Sequence, residues 1–229
     1  MEQRTTVFQC TSVVKRYHGK TALDNVTLTQ DRAKIHGLIG QNGAGKTTLM
    51  KIIAGLAFPT SGTISLFGET VHLEEARKQC GFMIAACGLN TSMTARENLE
   101  LHATIRGLKL TAADTDELLG WVGLENTRKK ARNYSLGMKQ RLGIALALIG
   151  YPKYLVLDEP INGLDPLGVA EMRTMLKRLR DEKGITILIS SHNLPELFQT
   201  ATDYIFIHHG KIAEELSQRE LEAKCRKYV

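Results

Sequence analysis

The chain has 229 residues, 43% of them hydrophobic and 24% charged, with a formal net charge of +6. That length can bury a full core as one domain or two unequal lobes, and the balance excludes disordered and fibrous classes. The positive excess admits a nucleic-acid or membrane-surface partner, but its tight cluster, Arg128-Lys129-Lys130-Ala131-Arg132, has no interleaved aromatics, which argues against nucleic acid.

The N-terminal stretch carries short β-type runs at Thr6–Cys10 and Ala22–Thr29, split by a turn at Tyr17-His18-Gly19-Lys20, and predicts a small antiparallel region. It leads into a buried strand, Ile35–Ile39. Beyond the glycine-rich loop that follows, Leu49, Met50, Ile52, Ile53 and Leu56 keep helical spacing, and Gly55 and Pro59 end the helix. Thr63–Phe67 reads as a strand after the turn Pro59-Thr60-Ser61-Gly62. From about residue 88 to 150 the character changes. Thr94–Arg106, Thr111–Trp121 and Met138–Ile149 read as helices, the second with Thr111 and Asp114 as a capping pair. The α/β rhythm then resumes: strand Tyr154–Leu157, helix Val169–Lys183, strand Ile185–Ile189, helix Pro195–Ala201, strand Tyr204–Ile207, and a last helix opened by Ser217 and Glu220. Strands alternating with helices imply an α/β fold with a mostly parallel sheet covered on both faces.

Gly40-Gln41-Asn42-Gly43-Ala44-Gly45-Lys46-Thr47 matches the phosphate-binding pattern G-x-x-x-x-G-K-[ST] in full. Its strand-loop-helix setting is the one that chemistry requires. Glycines let backbone N–H groups turn inward around phosphates, and the helix that follows presents its positive end to the same anion. The predicted phosphate contacts run from Gly40 through Asn42, Gly43, Ala44, Gly45, Lys46 and Thr47 to Thr48. Lys46 reaches the β- and γ-phosphates and Thr47 holds Mg²⁺. The apolar run Tyr154–Leu157 delivers Asp158 to a strand's carboxyl end, where it is a second candidate Mg²⁺ ligand. Its neighbour Glu159 is a candidate base for an attacking water.

Three further segments narrow the class. Tyr134-Ser135-Leu136-Gly137-Met138-Lys139-Gln140-Arg141, Asn162-Gly163-Leu164-Asp165-Pro166 and Ser190-Ser191-His192 resemble, in order and position, the signature, D-loop and switch histidine of ABC transporter ATPases. With the phosphate loop and the Asp158-Glu159 strand, the resemblance covers nearly the whole chain. It implies a P-loop NTPase of ABC type, with an α/β core lobe (residues 1–87 and 150–229) and an inserted helical lobe (88–149). It implies ATP hydrolysis with Mg²⁺ between two subunits closed head to tail, a homodimer or pseudo-dimer. Lys46, Thr47, Asp158, Glu159 and His192 come from one subunit, and Ser135 and Gly137 from the other. Tyr17 stands where the family stacks an aromatic on adenine. The partner implied is a membrane permease, reached from the cytoplasmic face of the membrane. The variant signature and the segment Cys80–Ala86 are most similar to ATPases of lantibiotic immunity and bacitracin resistance, which implies an exporter of antimicrobial peptides. Another lipid or drug remains open as cargo.

Position 85 departs from the pattern. The family usually has Gln there and this subgroup Glu, a side chain that helps to bind Mg²⁺ and links the site to the permease. Ala85 cannot coordinate anything. Water fills the gap, or Mg²⁺ affinity and coupling are weakened, or the position carries an alteration. A non-hydrolysing binding module is the rival this departure raises, and Lys46, Asp158, Glu159 and His192 argue against it. A soluble repair or translation ATPase is excluded for want of a coiled coil, zinc hook or second ATPase unit. Cys10, Cys80, Cys87 and Cys225 form no C-x-x-C pair and read as free thiols. No signal-peptide pattern opens the chain. The longest apolar run, Leu142–Gly150, is about half the length that spans a bilayer.

Overall fold

The two polar–apolar alternations at the N-terminus form a hairpin of β1 (Thr6–Tyr17) and β2 (Lys20–Asp31) in this computed structural model, which describes residues 6–85 and 88–226, without the side chains of 225 and 226. His18 and Gly19 both take positive φ, 41° and 83°, the turn geometry that suits the right-handed strand twist. β4 (Ser61–Leu66) joins β1 on its other side, giving an antiparallel sheet in the order β2-β1-β4.

The second sheet has the order β5-β6-β7-β3-β8-β9. Its strands are β3 (Ile35–Ile39), β5 (Cys80–Met83), β6 (Tyr154–Leu157), β7 (Thr186–Ser191), β8 (Asp203–His208) and β9 (Lys211–Ser217). All neighbours are parallel except β8 and β9. Because side chains alternate across a strand, the central strands feed two cores. Leu38, Val156, Leu188 and Ile205 pack on one face with α1 (Lys46–Ile53) and the antiparallel sheet. Ile35, Leu155, Leu157, Ile187 and Ile189 pack on the other with α5 (Leu136–Leu148) and α6 (Pro166–Lys183). Burial on both faces explains why these strands read as unbroken apolar runs.

The helical stretch contains α3 (Ala95–Ile105), α4 (Ala112–Trp121) and α5. Thr94 and Glu97 close a capping box on α3, and Thr111 and Asp114 one on α4. α5 touches α3 and α4 and also lies on β5. The approach to β5 is close enough that a Cβ on Gly81 would sit 2.0 Å from the Ala147 carbonyl oxygen. Two short helices, α2 (Leu73–Arg77) and α7 (Leu194–Phe198), and a last one, α8 (Gln218–Arg226), complete the chain. Cys10 and Cys80 are buried and free, and burial pushes both thiols up to about 12. Cys87 and the side chain of Cys225 lie outside the described residues. Among the described residues no helix is long and apolar enough to cross a membrane.

Candidate active site

Strand order brings the predicted site together. β7 lies between β6 and β3, pairing Ile189 with Leu157 and Ser191 with Ile39. The carboxyl ends of three adjacent strands therefore carry Gly40, Asp158 and His192 along one edge, where open α/β sheets bind ligands. A cleft of about 410 Å³ opens there. It is lined by Tyr17, Lys20, Gln41, Asn42, Gly43, Gly45, Lys46, Thr47, Thr48, Glu159 and Asn162 among others.

The loop between β3 and α1 is shaped for an anion. Gly45 takes φ 113°, and a Cβ there would sit 2.8 Å from the Ala22 carbonyl oxygen, so only glycine fits. Gly45 caps α1 without a side-chain bond, and no acid occupies the first turn. The first N–H groups and the helix dipole are thus open to a negative ligand. Lys46 is buried, and its Nζ donates to the carbonyls of Gly40 (2.6 Å) and Gln41 (3.3 Å). It also pairs with Glu159 Oε1 at 3.2 Å.

The acids form a chain of contacts across the strand ends. Thr47 Oγ1 donates to Asp158 Oδ2 at 2.8 Å, and Ser190 Oγ donates to Asp158 Oδ1 at 2.7 Å. Glu159 N donates to Ser190 Oγ at 2.8 Å. His192 Nδ1 lies 2.8 Å from Glu159 Oε2. An ionised carboxylate only accepts, so Nδ1 bears the hydrogen. Glu159 sits at φ 50°, a left-handed conformation that non-glycine residues seldom adopt. Thr47 and Asp158 offer hard oxygen donors beside a phosphate-shaped loop, the chemistry that suits Mg²⁺.

Tyr17 ends β1 at the rim of the cleft, exposed, with Lys15 Nζ 4.7 Å from its ring centroid. Gly40 and Ala44 belong to the loop without lining this cleft, and Asp158 and His192 stand behind it, bonded to the lining residues Thr47 and Glu159. Ser135 and Gly137 also stand away from it. Ser135 caps α5, accepting from Met138 N at 3.2 Å, and Leu164 approaches Gly137. Gln140 Nε2 donates to the Asn162 carbonyl at 3.0 Å, so the signature helix and the D-loop are bonded to each other. Ala85 follows β5 at φ 64°, exposed, two residues beyond Met83, whose carbonyl accepts from Asp158 N at 2.8 Å. Sequence reasoning assigned no role to Ser190 or to the lining residues Lys20 and Asn162. A serine two places before a strand-end histidine is the signal that marks Ser190.

A sequence profile described as ABC transporter matches residues 23–162. The chain belongs to the ABC transporter ATPase family. This ABC ATPase is 42% identical over 228 residues to the bacitracin transport ATP-binding protein BcrA of Bacillus licheniformis, covering 98% of this chain and 74% of that one. It is 43% identical over 202 residues to the lantibiotic transport ATP-binding protein SrtF of Streptococcus pyogenes, covering 88% and 86%. Among solved structures it resembles cbiO1 from Clostridium perfringens, part of the ABC transporter complex cbiONQ. There the TM-score is 0.87 at 26% identity, over 98% of this chain and 93% of that one. The dimeric cassette MJ0796, in a post-hydrolysis state bound to ADP and Pi, matches with TM-score 0.81 at 26% identity, over 93% and 99%. The ABC ATPase is therefore an ATP-binding subunit of a transporter, with transport relatives for bacitracin and for a lantibiotic.

Proposed function

We propose that this subunit hydrolyses ATP to drive a bacterial exporter of antimicrobial peptides of the bacitracin or lantibiotic type, attached at the cytoplasmic face of the membrane through a separate permease. The observation that carries the chemistry is the bonded chain Lys46–Glu159–His192 with Thr47–Asp158, of which Lys46, Thr47 and Glu159 line one cleft. The observation that favours this cargo is identity above 40% to bacitracin and lantibiotic transport ATP-binding proteins.

In this reading the phosphates of ATP displace the carbonyl partners of Lys46 and take its amine, together with the open N–H groups of α1. Tyr17 receives the adenine. Thr47 and Asp158 would hold Mg²⁺, which would neutralise phosphate charge. Glu159 orients water and takes its proton as the water oxygen bonds to the γ-phosphorus and the bond to the ADP oxygen breaks. His192 holds Glu159 through Nδ1. Ser135 and Gly137, absent from the cleft of their own chain, serve the site of a second subunit closed head to tail. Residues 88–149 form the helical lobe that carries them, and 1–87 with 150–229 the core lobe. ATP drives closure because it binds the closed pair better.

The decisive variant is Glu159→Gln. It keeps ATP binding and loses turnover by about 100-fold or more, as read by steady-state phosphate release. Undiminished turnover removes Glu159 as the base. The cargo is read separately: cells expressing the subunit with its permease gain resistance to bacitracin or to a lantibiotic. Equal sensitivity with and without the pair would sink that assignment.

A further inference from the structure

β7 is buried along its whole length, yet it ends in two hydroxyls, Ser190 and Ser191. A buried hydroxyl is costly unless it is hydrogen-bonded. Ser191 spends its bonds locally, accepting from Asn193 N at 2.9 Å and donating to Glu196 Oε2 at 3.0 Å. Ser190 reaches across to the neighbouring strand's acids instead. Its Oγ donates to Asp158 Oδ1 at 2.7 Å and accepts from Glu159 N at 2.8 Å. The polarity of this bridge is fixed: the carboxylate can only accept and the N–H can only donate.

Each bond constrains a different part of the site. With Oδ1 held by Ser190, the Asp158 carboxylate keeps Oδ2 toward Thr47 Oγ1 at 2.8 Å. The bond to Glu159 N falls on a residue at φ 50°. Such strained backbone persists only where surrounding bonds hold it, and here the other is Asn162 N to the Glu159 carbonyl at 3.2 Å. The same residue's side chain meets Lys46 and His192. A small rotation of its backbone would carry the carboxylate away from both.

We propose that Ser190 is the positioning residue for both acids, fixing the Asp158 carboxylate toward Thr47 and the backbone of Glu159 where its side chain meets Lys46 and His192. This rests on the roles given to Asp158 and Glu159 above. Ser190 touches no reacting atom, so its loss separates turnover from nucleotide binding.

The test compares Ser190→Ala and Ser190→Thr with the wild type, using the full chain. In Ser190→Ala, ATP affinity stays near wild type, kcat falls about tenfold or more, and half-maximal activity needs more Mg²⁺. Ser190→Thr, which keeps the hydroxyl, restores kcat and the Mg²⁺ curve. A wild-type kcat in Ser190→Ala overturns the proposal. So does parallel loss of ATP binding and kcat that threonine does not rescue, because that marks a merely structural role. Glu159→Gln run alongside separates the two levels. Loss of turnover there with wild-type kcat in Ser190→Ala overturns the Ser190 role alone. Full turnover in Glu159→Gln brings down the base assignment and the Ser190 role with it.

Discussion

Lys46 is buried and its charge is met by two carbonyls and the Glu159 carboxylate. A buried ammonium needs such partners, and the same partners hold it beside the loop between β3 and α1. Position 85 is the residue whose chemistry differs most from this economy. Ala85 follows the strand that hydrogen-bonds Asp158, through Met83 O and Asp158 N. Its backbone is already left-handed at φ 64°, so a glutamate there adds no strain that alanine does not already carry. Ala85→Glu is expected to return an oxygen donor beside Asp158. It should lower the Mg²⁺ needed for half-maximal ATPase activity by about tenfold, as read from turnover against free Mg²⁺ at saturating ATP. An unchanged Mg²⁺ curve would show that a side chain at 85 does not reach the site.

Among the elements, those with a local signal were legible and those that depend on distant partners were not. The β1–β2 hairpin, the strand-loop-helix at Ile35–Ile53 and the caps at Thr111 and Ser217 all follow from residues close in sequence. α6 begins at Pro166, three residues before the predicted start, because Asp165 Oδ1 accepts from Gly168 N at 2.9 Å and proline suits the first helical position. β5 has no strand signal of its own: four residues around a glycine give no period, and it becomes a strand by pairing with β6. β9 carries Glu214 and Glu215, which masked an edge strand whose antiparallel partner is β8. α2 is one five-residue turn. The site's residues were legible because the phosphate loop and Asp-Glu pair are local patterns. The Ser190 bridge was not, since it needs β6 and β7 side by side. The caps give a prediction at this scale. Thr94 Oγ1 accepts from Glu97 N, and the Thr94 N–H and Lys130 hold the Glu97 carboxyl down at about 2. Thr94→Ala should lower folding stability by about 1 kcal/mol, seen as a lower midpoint in chemical denaturation. A midpoint equal to wild type would show that α3 is held by its packing alone.

The whole molecule is built around β3, which has both sheet faces covered and carries the phosphate loop at its end. That strand contains one titratable side chain, His36, which is buried and bonded through Nε2 to the Asp31 carbonyl at 3.0 Å. Burial holds its pKa below the ordinary imidazole value, against the opposing pull of the Asp31 carbonyl and the Asp203 carboxylate and alongside the Lys34 charge. An unfolded chain's histidine takes up a proton near pH 6.5, while the folded His36 still refuses it. Stability from this residue is therefore complete above about pH 6.5. It is lost as pH falls through that value, and the loss levels off once the pH is below the folded pKa. The measurement is a difference between two proteins that differ at this residue alone. Between pH 7.5 and 5.5 the wild type should lose more denaturation midpoint than His36→Gln, whose amide can still donate to Asp31 but takes no proton. Because β3 pairs with β7 and β8 on either side, that loss should appear as one cooperative transition of the whole sheet. Equal pH slopes in the two proteins would mean that His36 ionises as freely folded as unfolded, and would take the link between its burial and acid sensitivity with them.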